Sequence, residues 1–336
     1  MISVSQPTIL TVILNYRTPD DAMKAAEAAL VAMEGLAGEV AIVDNDSQDG
    51  SFRKIKAAVA AKGWAGGGRV HVYETGHNGG FGSGNNFAIR AGLSTGDKPD
   101  YVYLVNPDAI AEPEAIRTLV AFLEARPEAG IAGSLILKPD GRRAYGAFEF
   151  PGLVREFEEA ARTMMVSRII KLGRIHTAPP EEQTQVDWVS GSSVMMRRSM
   201  LDEIGLFDET YFLYFEETDL CLRAKRAGWQ VWYLPESRVV HIGGVSTGMF
   251  TWKRQPKYWF DSRLHYFTKN YGRAYTVLTT LALLAGEGVW MLRRLVNPKA
   301  ERYRQSERFA RDLIEHSVQA MFARRDAPAG GSGGSH

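Results

Sequence analysis

At 336 residues the chain is long enough for one large domain or two modest ones. Forty Lys and Arg against 39 Asp and Glu leave a formal net charge of +1, which gives no electrostatic reason to expect a nucleic-acid partner, and the 45 % of apolar residues is ordinary for a globular protein. The single cysteine, Cys221, excludes an internal disulfide and suits a reducing, cytosolic setting.

Met1 to Gln6 carries no basic residue and the apolar run Ile9 to Leu14 is short for a signal sequence, so the substrate is expected to be met inside the cell. Thr8 to Asn15, apolar and β-branched, is predicted as a strand. Asp20 to Met33 reads as a helix, Glu39 to Asn45 as a second buried strand, Phe52 to Lys62 as a helix and Arg69 to Glu74 as a third strand. A glycine-rich loop from Gly76 to Gly84 precedes a helix reaching about Leu93. Tyr101 to Asn106 is a fourth strand, and Pro113 sits just inside the next helix, where its missing N–H costs nothing. Strands alternating with helices predict an α/β fold with a mostly parallel sheet and helices on both faces, whose ligands bind beyond the C-terminal ends of the strands. Asn15, Tyr16 and Arg17 end the first strand, Asp44, Asn45 and Asp46 the second, Asn106 and Asp108 the fourth. Any one of these is readable as a turn residue or a helix cap. Three in register at one sheet edge point to function.

The second half is less regular. Residues 141–180 show no clear period and are expected to hold a mobile loop with a basic helix. Val186 to Met196 is predicted as a strand entering a turn, Asp219 to Gly228 as a short helix, and Trp229 to Leu234 and Ser237 to His241 as two short strands. Tyr275 to Leu292 is 18 residues with one charge, Glu287, at the lower limit for a membrane span. Residues 293–325 then carry nine Lys and Arg against four Asp and Glu, with Phe309, Leu313, Val318, Met321 and Phe322 on one helical face. A docked helical pair, attachment to an anionic membrane surface and a true span all stay open at this point. Gly330 to His336 reads as flexible linker.

Four features carry chemistry. Asn106-Pro107-Asp108 after an apolar strand places a carboxylate where a hard cation and a diphosphate can share it. The run His77 to Asn86 departs from the dinucleotide fingerprint, yet its glycines let a ligand approach the backbone at a helix N-terminus. The acidic cluster Asp208, Glu209, Glu216, Glu217 and Asp219 lies among aromatic residues, where desolvated carboxylates repel and one is expected to titrate high enough to serve as a general base. His241 can add a neutral imidazole to a metal site with Asp108. Trp188 with Gly191, Ser192 and Ser193 suggests an aromatic platform beside open backbone. Arg263, in the aromatic stretch Tyr258 to Tyr271, suits either a diphosphate or a surface ion pair.

Asn15-Tyr16, Val43-Asp44-Asn45, Asn78 to Asn86, Asn106-Pro107-Asp108, Trp188-Val189-Ser190-Gly191, Phe207-Asp208-Glu209, Glu216-Glu217-Thr218-Asp219-Leu220 and His241-Ile242-Gly243-Gly244 follow one another in a single order. Together, over residues 8–272, they resemble the family 2 glycosyltransferases of the GT-A fold, within them the rhamnosyltransferase-like branch. The resemblance implies a Rossmann-like central sheet, a transferase domain over residues 1–272 with a donor half to about 140 and an acceptor half beyond it, and a C-terminal helical region over 273–325. It implies that Asp44 hydrogen-bonds a uracil or thymine ring with Asn15, Tyr16 and Asn45 nearby, and that Asn78, Gly82 and Asn85 line the donor pocket. Asp108 stands for the last acid of the family's paired-carboxylate motif, as a ligand of Mn²⁺ or Mg²⁺ with His241. Asn106 replaces the first acid and would meet ribose or water. Glu217 stands where the family commonly has a catalytic Asp, with Glu216 as its rival, and Trp188 with Gly191 to Ser193 would face the acceptor.

The expected reaction is a single displacement with inversion from a dTDP- or UDP-linked sugar, rhamnose first, to a saccharide or lipid-linked saccharide at the inner face of the cell membrane. A processive synthase would carry Q-x-x-R-W, where Gln255-Pro256-Lys257-Tyr258-Trp259 has Tyr for Arg. A nucleotidyltransferase would place a lysine-bearing glycine loop after the first strand. A partner subunit that binds nucleotide sugar without turnover is the non-enzymatic alternative, favoured only by the departure at Glu217.

Overall fold

A computed structural model describes residues 6–163, 179–243, 253–296 and 308–322. The expectations for residues 164–178, Gly244, residues 297–307 and the glycine-serine tail fall outside these. So do the side chains of Met321 and Phe322.

The first half runs β1 (Thr8–Asn15), α1 (Pro19–Ala32), β2 (Ala37–Asp44), α2 (Ser51–Ala61), β3 (Val70–Glu74), α3 (Gly80–Ala91), β4 (Tyr101–Val105), β5 (Ala109–Ala111), α4 (Ala115–Ala125) and β6 (Ala129–Leu137). There follow β7 (Arg143–Ala144), β8 (Ala147–Phe148), α5 (Leu153–Ala161), β9 (Thr184–Gln185), β10 (Trp188–Val189), β11 (Ser193–Arg197) and α6 (Arg198–Ile204). The chain closes with α7 (Glu216–Arg226), β12 (Gln230–His241), α8 (Lys257–Val296) and α9 (Phe309–Phe322).

The main sheet has the order β3-β2-β1-β4-β11-β6-β12-β5, with β7 on β6 and β9 on β12, and β8 pairs β10 apart from it. Strands β1 to β4 are parallel to one another, as are β6 and β12. Both faces are covered, so the strands read as continuous apolar runs. Successive side chains alternate: Ile9 and Ile13 face Ala22, Ile55 and Ile116 of α1, α2 and α4. Leu10 and Val12 face Ile89, Leu201 and Leu220 of α3, α6 and α7.

One strand decides where the site forms. β11 runs antiparallel to both β4 and β6, which leaves β4, β6 and β12 pointing the same way. The C-terminal ends of β1, β2, β4 and β12 and the beginnings of β5 and β11 therefore share one edge of the sheet.

Several elements differ from the sequence expectation. Helix α3 begins at Gly80, inside the predicted glycine loop, because the loop's glycines form its first turns. Val186 to Met196 is two strands, β10 and β11, broken at 190–192. The two strands predicted around Pro235 are the single β12, whose register shifts between Leu234 and Arg238, where proline has no N–H to donate. Helix α7 starts at Glu216 rather than Asp219. β6 was not expected, since its small residues AGIAGSLIL carry little strand propensity.

Tyr275 to Leu292 belongs to the 40-residue α8, which breaks at Gly272 (φ 84°, ψ 167°), a conformation open to glycine. Beyond the break, Thr276, Thr279, Leu283, Gly286 and Glu287 are buried, and α5 lies so close that a methyl group on Gly286 would overlap the Phe157 carbonyl.

Candidate active site

The side of the edge expected to meet the nucleotide is built by β1 and β2, in register at Asn15 and Asp44. Asp44 is 1 % exposed; its Oδ1 accepts from Asn15 Nδ2 at 2.5 Å and Ser47 Oγ at 2.6 Å, and its Oδ2 from the Ser47 N–H at 3.1 Å. Ser47 was not singled out from the sequence; an Asp that can accept from the N–H and hydroxyl of a Ser three residues on is the local signal that marks it. Arg17, Asp46 and Gln48 all have positive φ at this edge, and the Arg17 guanidinium lies 5.0 Å from the Tyr16 ring centre.

Asn45 fastens the glycine run to β2. Its Nδ2 donates to Asn78 Oδ1 at 2.9 Å and to the Gly80 carbonyl at 3.1 Å. Gly80 has φ 90° and its Cα lies against the Phe212 carbonyl, which also accepts the Phe81 N–H at 2.9 Å. Two residues expected in the donor pocket are turned into the packing. Asn85 donates back to the Phe81 carbonyl at 2.9 Å, and a methyl group on Gly82 would stand 2.9 Å from Phe207 Cβ.

The candidate metal pair forms through the β5–β12 ladder, where Ala109 faces His241. His241 Nε2 lies 3.0 Å from Asp108 Oδ1, with Asp108 4 % exposed, and the Ile242 N–H donates to the Asp108 carbonyl at 3.1 Å. The carboxylate is an apt donor for Mn²⁺ or Mg²⁺, and the imidazole is a softer nitrogen donor beside it. No cluster of three or more His, Cys, Asp or Glu able to hold a metal exists among the described residues.

The structure divides the acidic cluster in two. Asp208 meets His265 at 2.9 Å and Lys269 at 2.8 Å, Glu209 meets Asn86 at 2.8 Å and Arg90 at 2.5 Å, and Asp219 meets Arg223, Lys269 and Asn270 at 2.8 to 2.9 Å. These partners outweigh burial and hold all three carboxyls below the usual range. Glu216 and Glu217 have no cation, and each keeps a buried Oε2 with no hydrogen-bond partner among the described residues. Burial, and then the adjacent Glu217 charge, push Glu216 well above the carboxylate range; burial raises Glu217. They open α7 after Tyr214 (φ 71°) and Phe215 (φ 69°), two successive left-handed residues costing about 1–3 kcal/mol each.

A turn at 190–192 stands between the two halves of the site. The Asn106 N–H donates to the Ser192 carbonyl at 3.1 Å, and a Cβ on Gly191 would lie 3.6 Å from Glu217 Oε1 and 3.1 Å from the Phe81 ring. Asp108 and Glu217 are thereby on either side of one short turn. Glu216 is 2 % exposed; Glu217 is partly exposed as a residue, while its Oε2 is buried like that of Glu216.

On the expected acceptor side, Trp188 stacks on Phe148 at 4.2 Å and donates from Nε1 to the Glu149 carbonyl at 3.0 Å. Ser192 Oγ lies 2.9 Å from Ser190 Oγ. Ser193 departs from its expected role. Its hydroxyl, 1 % exposed, belongs to a buried chain from Tyr103 (2.8 Å) through Ser134 (2.7 Å) to Ser237 (2.7 Å) and the Ala115 carbonyl (3.0 Å). Arg263 departs as well. It is 2 % exposed, donates to Glu156 Oε2 at 2.6 and 2.9 Å and to Thr280 at 3.1 Å, and ties α8 to α5. Its aromatic neighbourhood is the interior of the helical layer, where a guanidinium needs a carboxylate of its own.

Comparison with known proteins agrees with this architecture. Residues 7–266 match the family model described as glycosyltransferase like family 2. The chain is 35 % identical over 217 residues to N-acetylglucosaminyl-diphospho-decaprenol L-rhamnosyltransferase of Mycobacterium tuberculosis, covering 62 % of this chain and 68 % of that one. It is 31 % identical over 172 residues to rhamnosyltransferase WbbL of Escherichia coli, covering 48 % and 60 %. In fold it is similar to the mannosyltransferase PcManGT of Pyrobaculum calidifontis, solved with GDP-Man and Mn²⁺, at a TM-score of 0.56 and 14 % identity over 95 % of this chain and 88 % of that one. With a GT-A sheet, a C-terminal helical layer and a family match over most of its length, the chain belongs to glycosyltransferase family 2 and is a glycosyltransferase.

Proposed function

We propose that this glycosyltransferase moves rhamnose from dTDP-rhamnose to a saccharide or lipid-linked saccharide, with inversion and with a divalent cation, in the cytoplasm at the inner membrane face. The rhamnosyltransferase relatives support the sugar, and the Mn²⁺ of the mannosyltransferase supports the cation. The observation that carries the reading is the uncompensated Glu216–Glu217 pair set one turn away from Asp108 and His241.

In this reading residues 1–140 hold the donor and 141–272 the acceptor. Asp44, fixed by Asn15 and Ser47, presents Oδ2 to the base N–H, with Tyr16 and Asn45 beside it. Asp108 and His241 would hold the cation, which when bound offsets the charge developing on the departing diphosphate. Glu217 accepts the proton of the acceptor hydroxyl. The freed oxygen lone pair attacks the anomeric carbon from the face opposite the diphosphate, the bond from carbon to diphosphate oxygen breaks, and the nucleoside diphosphate leaves with the electron pair. Glu216, protonated beside it, keeps a second negative charge out of the pocket. The Gly191 N–H, which lies at the Glu217 carboxylate, holds the base toward the acceptor turn.

Thermal-shift titration of the full chain with a panel of nucleotide sugars, with and without Mn²⁺, tests the reading. Stabilisation by dTDP-rhamnose above dTDP-glucose, UDP-glucose and GDP-mannose is expected. A larger shift with another sugar nucleotide replaces the donor, and no shift with any of them refutes the proposal.

A further inference from the structure

The second half of α8 has one face against the protein and, opposite it, an apolar face that no described residue covers. Thr276, Thr279, Leu283, Gly286 and Glu287 lie against the body of the protein. At helical spacing on the opposite side stand Val277, Leu278, Leu281, Leu292 and Leu295, exposed by 46 to 80 %, with Ala274, Ala285 and Gly288 between them. No polar residue interrupts this stripe over about 30 Å of helix. An ordinary surface helix places its charges there, and no described residue covers the stripe.

The charge around it identifies the occupant. Arg162 and Arg294 flank the Trp290 ring, with their guanidinium carbons 5.1 and 5.7 Å from its centre. Arg293 donates to the carbonyls of Ala161 and Arg162 at 2.8 and 2.7 Å. Trp290 lies on the protein side of the helix, three and four residues from buried Glu287 and Gly286, whereas Arg293 and Arg294 are exposed and flank the end of the apolar stripe, where arginines seat a helix at the headgroup level of an anionic bilayer.

We propose that α8 lies flat in the surface of an anionic lipid bilayer, with Leu278, Leu281, Leu292 and Leu295 among the acyl chains and Arg293 and Arg294 at the phosphates. By length and composition α8 is also apolar enough to cross a membrane. Its other face opposes that. Glu287 is buried on the protein side, and the Arg263–Glu156 ion pair with Thr280 fastens the same helix to α5, so crossing would tear a buried charge pair open. The surface gives the transferase direct access to a lipid-linked acceptor and rests on that reading for its use, whereas lipid binding itself is measured without turnover.

Cys221, buried and with its thiol pushed up to about 12, stays silent to thiol dyes, so Leu292→Cys accepts an environment-sensitive label at one position. With the full chain, the dye is expected to shift to the blue and to be quenched by brominated acyl chains on phosphatidylglycerol vesicles, and to respond weakly to phosphatidylcholine vesicles. Leu281→Glu with Leu295→Glu is expected to lower the partition coefficient at least about tenfold, with the melting temperature and nucleotide-sugar binding retained. Alkaline carbonate is expected to release the protein. Equal binding by the double-Glu variant, resistance to carbonate, or a lipid-free dimer that the double-Glu variant converts to monomer would each overturn the proposal. Loss of nucleotide-sugar binding in wild type would count against the transferase chemistry alone.

Discussion

Replacing Arg263 by Met separates a structural arginine from a substrate-binding one. The Arg263 side chain is 2 % exposed, and removing it leaves the Glu156 carboxylate, itself buried, without the two N–H donors at 2.6 and 2.9 Å that neutralise it. Breaking one side of such a pair costs about 3–5 kcal/mol, because the remaining charge stays desolvated. For a chain of 336 residues that is roughly 4–7 °C in melting temperature. Burial already raises the Glu156 carboxyl, so the orphaned group would take up a proton and the loss would be smaller at low pH than at pH 8. The double variant Arg263→Met with Glu156→Leu removes both charges and should recover most of the loss. The assay is thermal unfolding at pH 5.5 and pH 8, with the affinity for the nucleotide-sugar donor measured below the transition. Donor affinity is expected to stay within about twofold, since the guanidinium lies in the α5–α8 layer. An unchanged melting temperature together with lost donor binding would refute the assignment and return Arg263 to the diphosphate.

Other outcomes follow from the same geometry. Glu216 has a folded carboxyl raised above its unfolded value of 4.5, so its stabilising contribution is full below that value and fades as pH rises through the raised one; Glu216→Gln should flatten the alkaline decline of the melting temperature. Asp208, Glu209 and Asp219, held low, contribute in the opposite sense, and the loss of stability as pH falls should persist in Glu216→Gln. The rate of transfer should rise with pH through the raised Glu217 carboxyl, and Glu216→Gln should leave that limb in place, since Glu216 is already protonated there. Gly80→Ala should destabilise by more than about 1 kcal/mol and lower donor affinity, because φ 90° and the Phe212 carbonyl leave no room for a methyl group. A melting curve superimposable on wild type would show that the α3 entry is not held as described.

Much of the first half of the chain was legible because its physics is local. The strands ending at Asn15, Asp44 and Val105 are buried on both faces and announce themselves as apolar runs bounded by polar residues. Asp108 and His241, 133 positions apart, were paired by motif order, and the β5–β12 ladder supplies the contact. What failed was what depends on the partner. Arg263 and Ser193 stand among residues typical of a site, and only the fold shows that Glu156 and Ser134 meet them first. The five acids of residues 208–219 are alike in sequence; the placement of Arg90, His265, Lys269 and Asn270 from distant elements leaves two of them uncompensated. The break at Gly272 and the exposed stripe beyond it are likewise visible only once α5 covers the other side.

The central claim is that Glu217 takes the acceptor proton beside a donor site built on Asp108 and His241. Glu217→Gln keeps the shape of the side chain and removes its basicity. Transfer to a saccharide acceptor, followed as nucleoside diphosphate released per enzyme, measured beside donor affinity by calorimetry on the same preparation, tests the claim most directly. The account predicts a rate lower by at least about 10² at unchanged donor affinity and melting temperature, with no recovery at higher pH. A variant that transfers at the wild-type rate would contradict it and pass the proton to Glu216 or to another group.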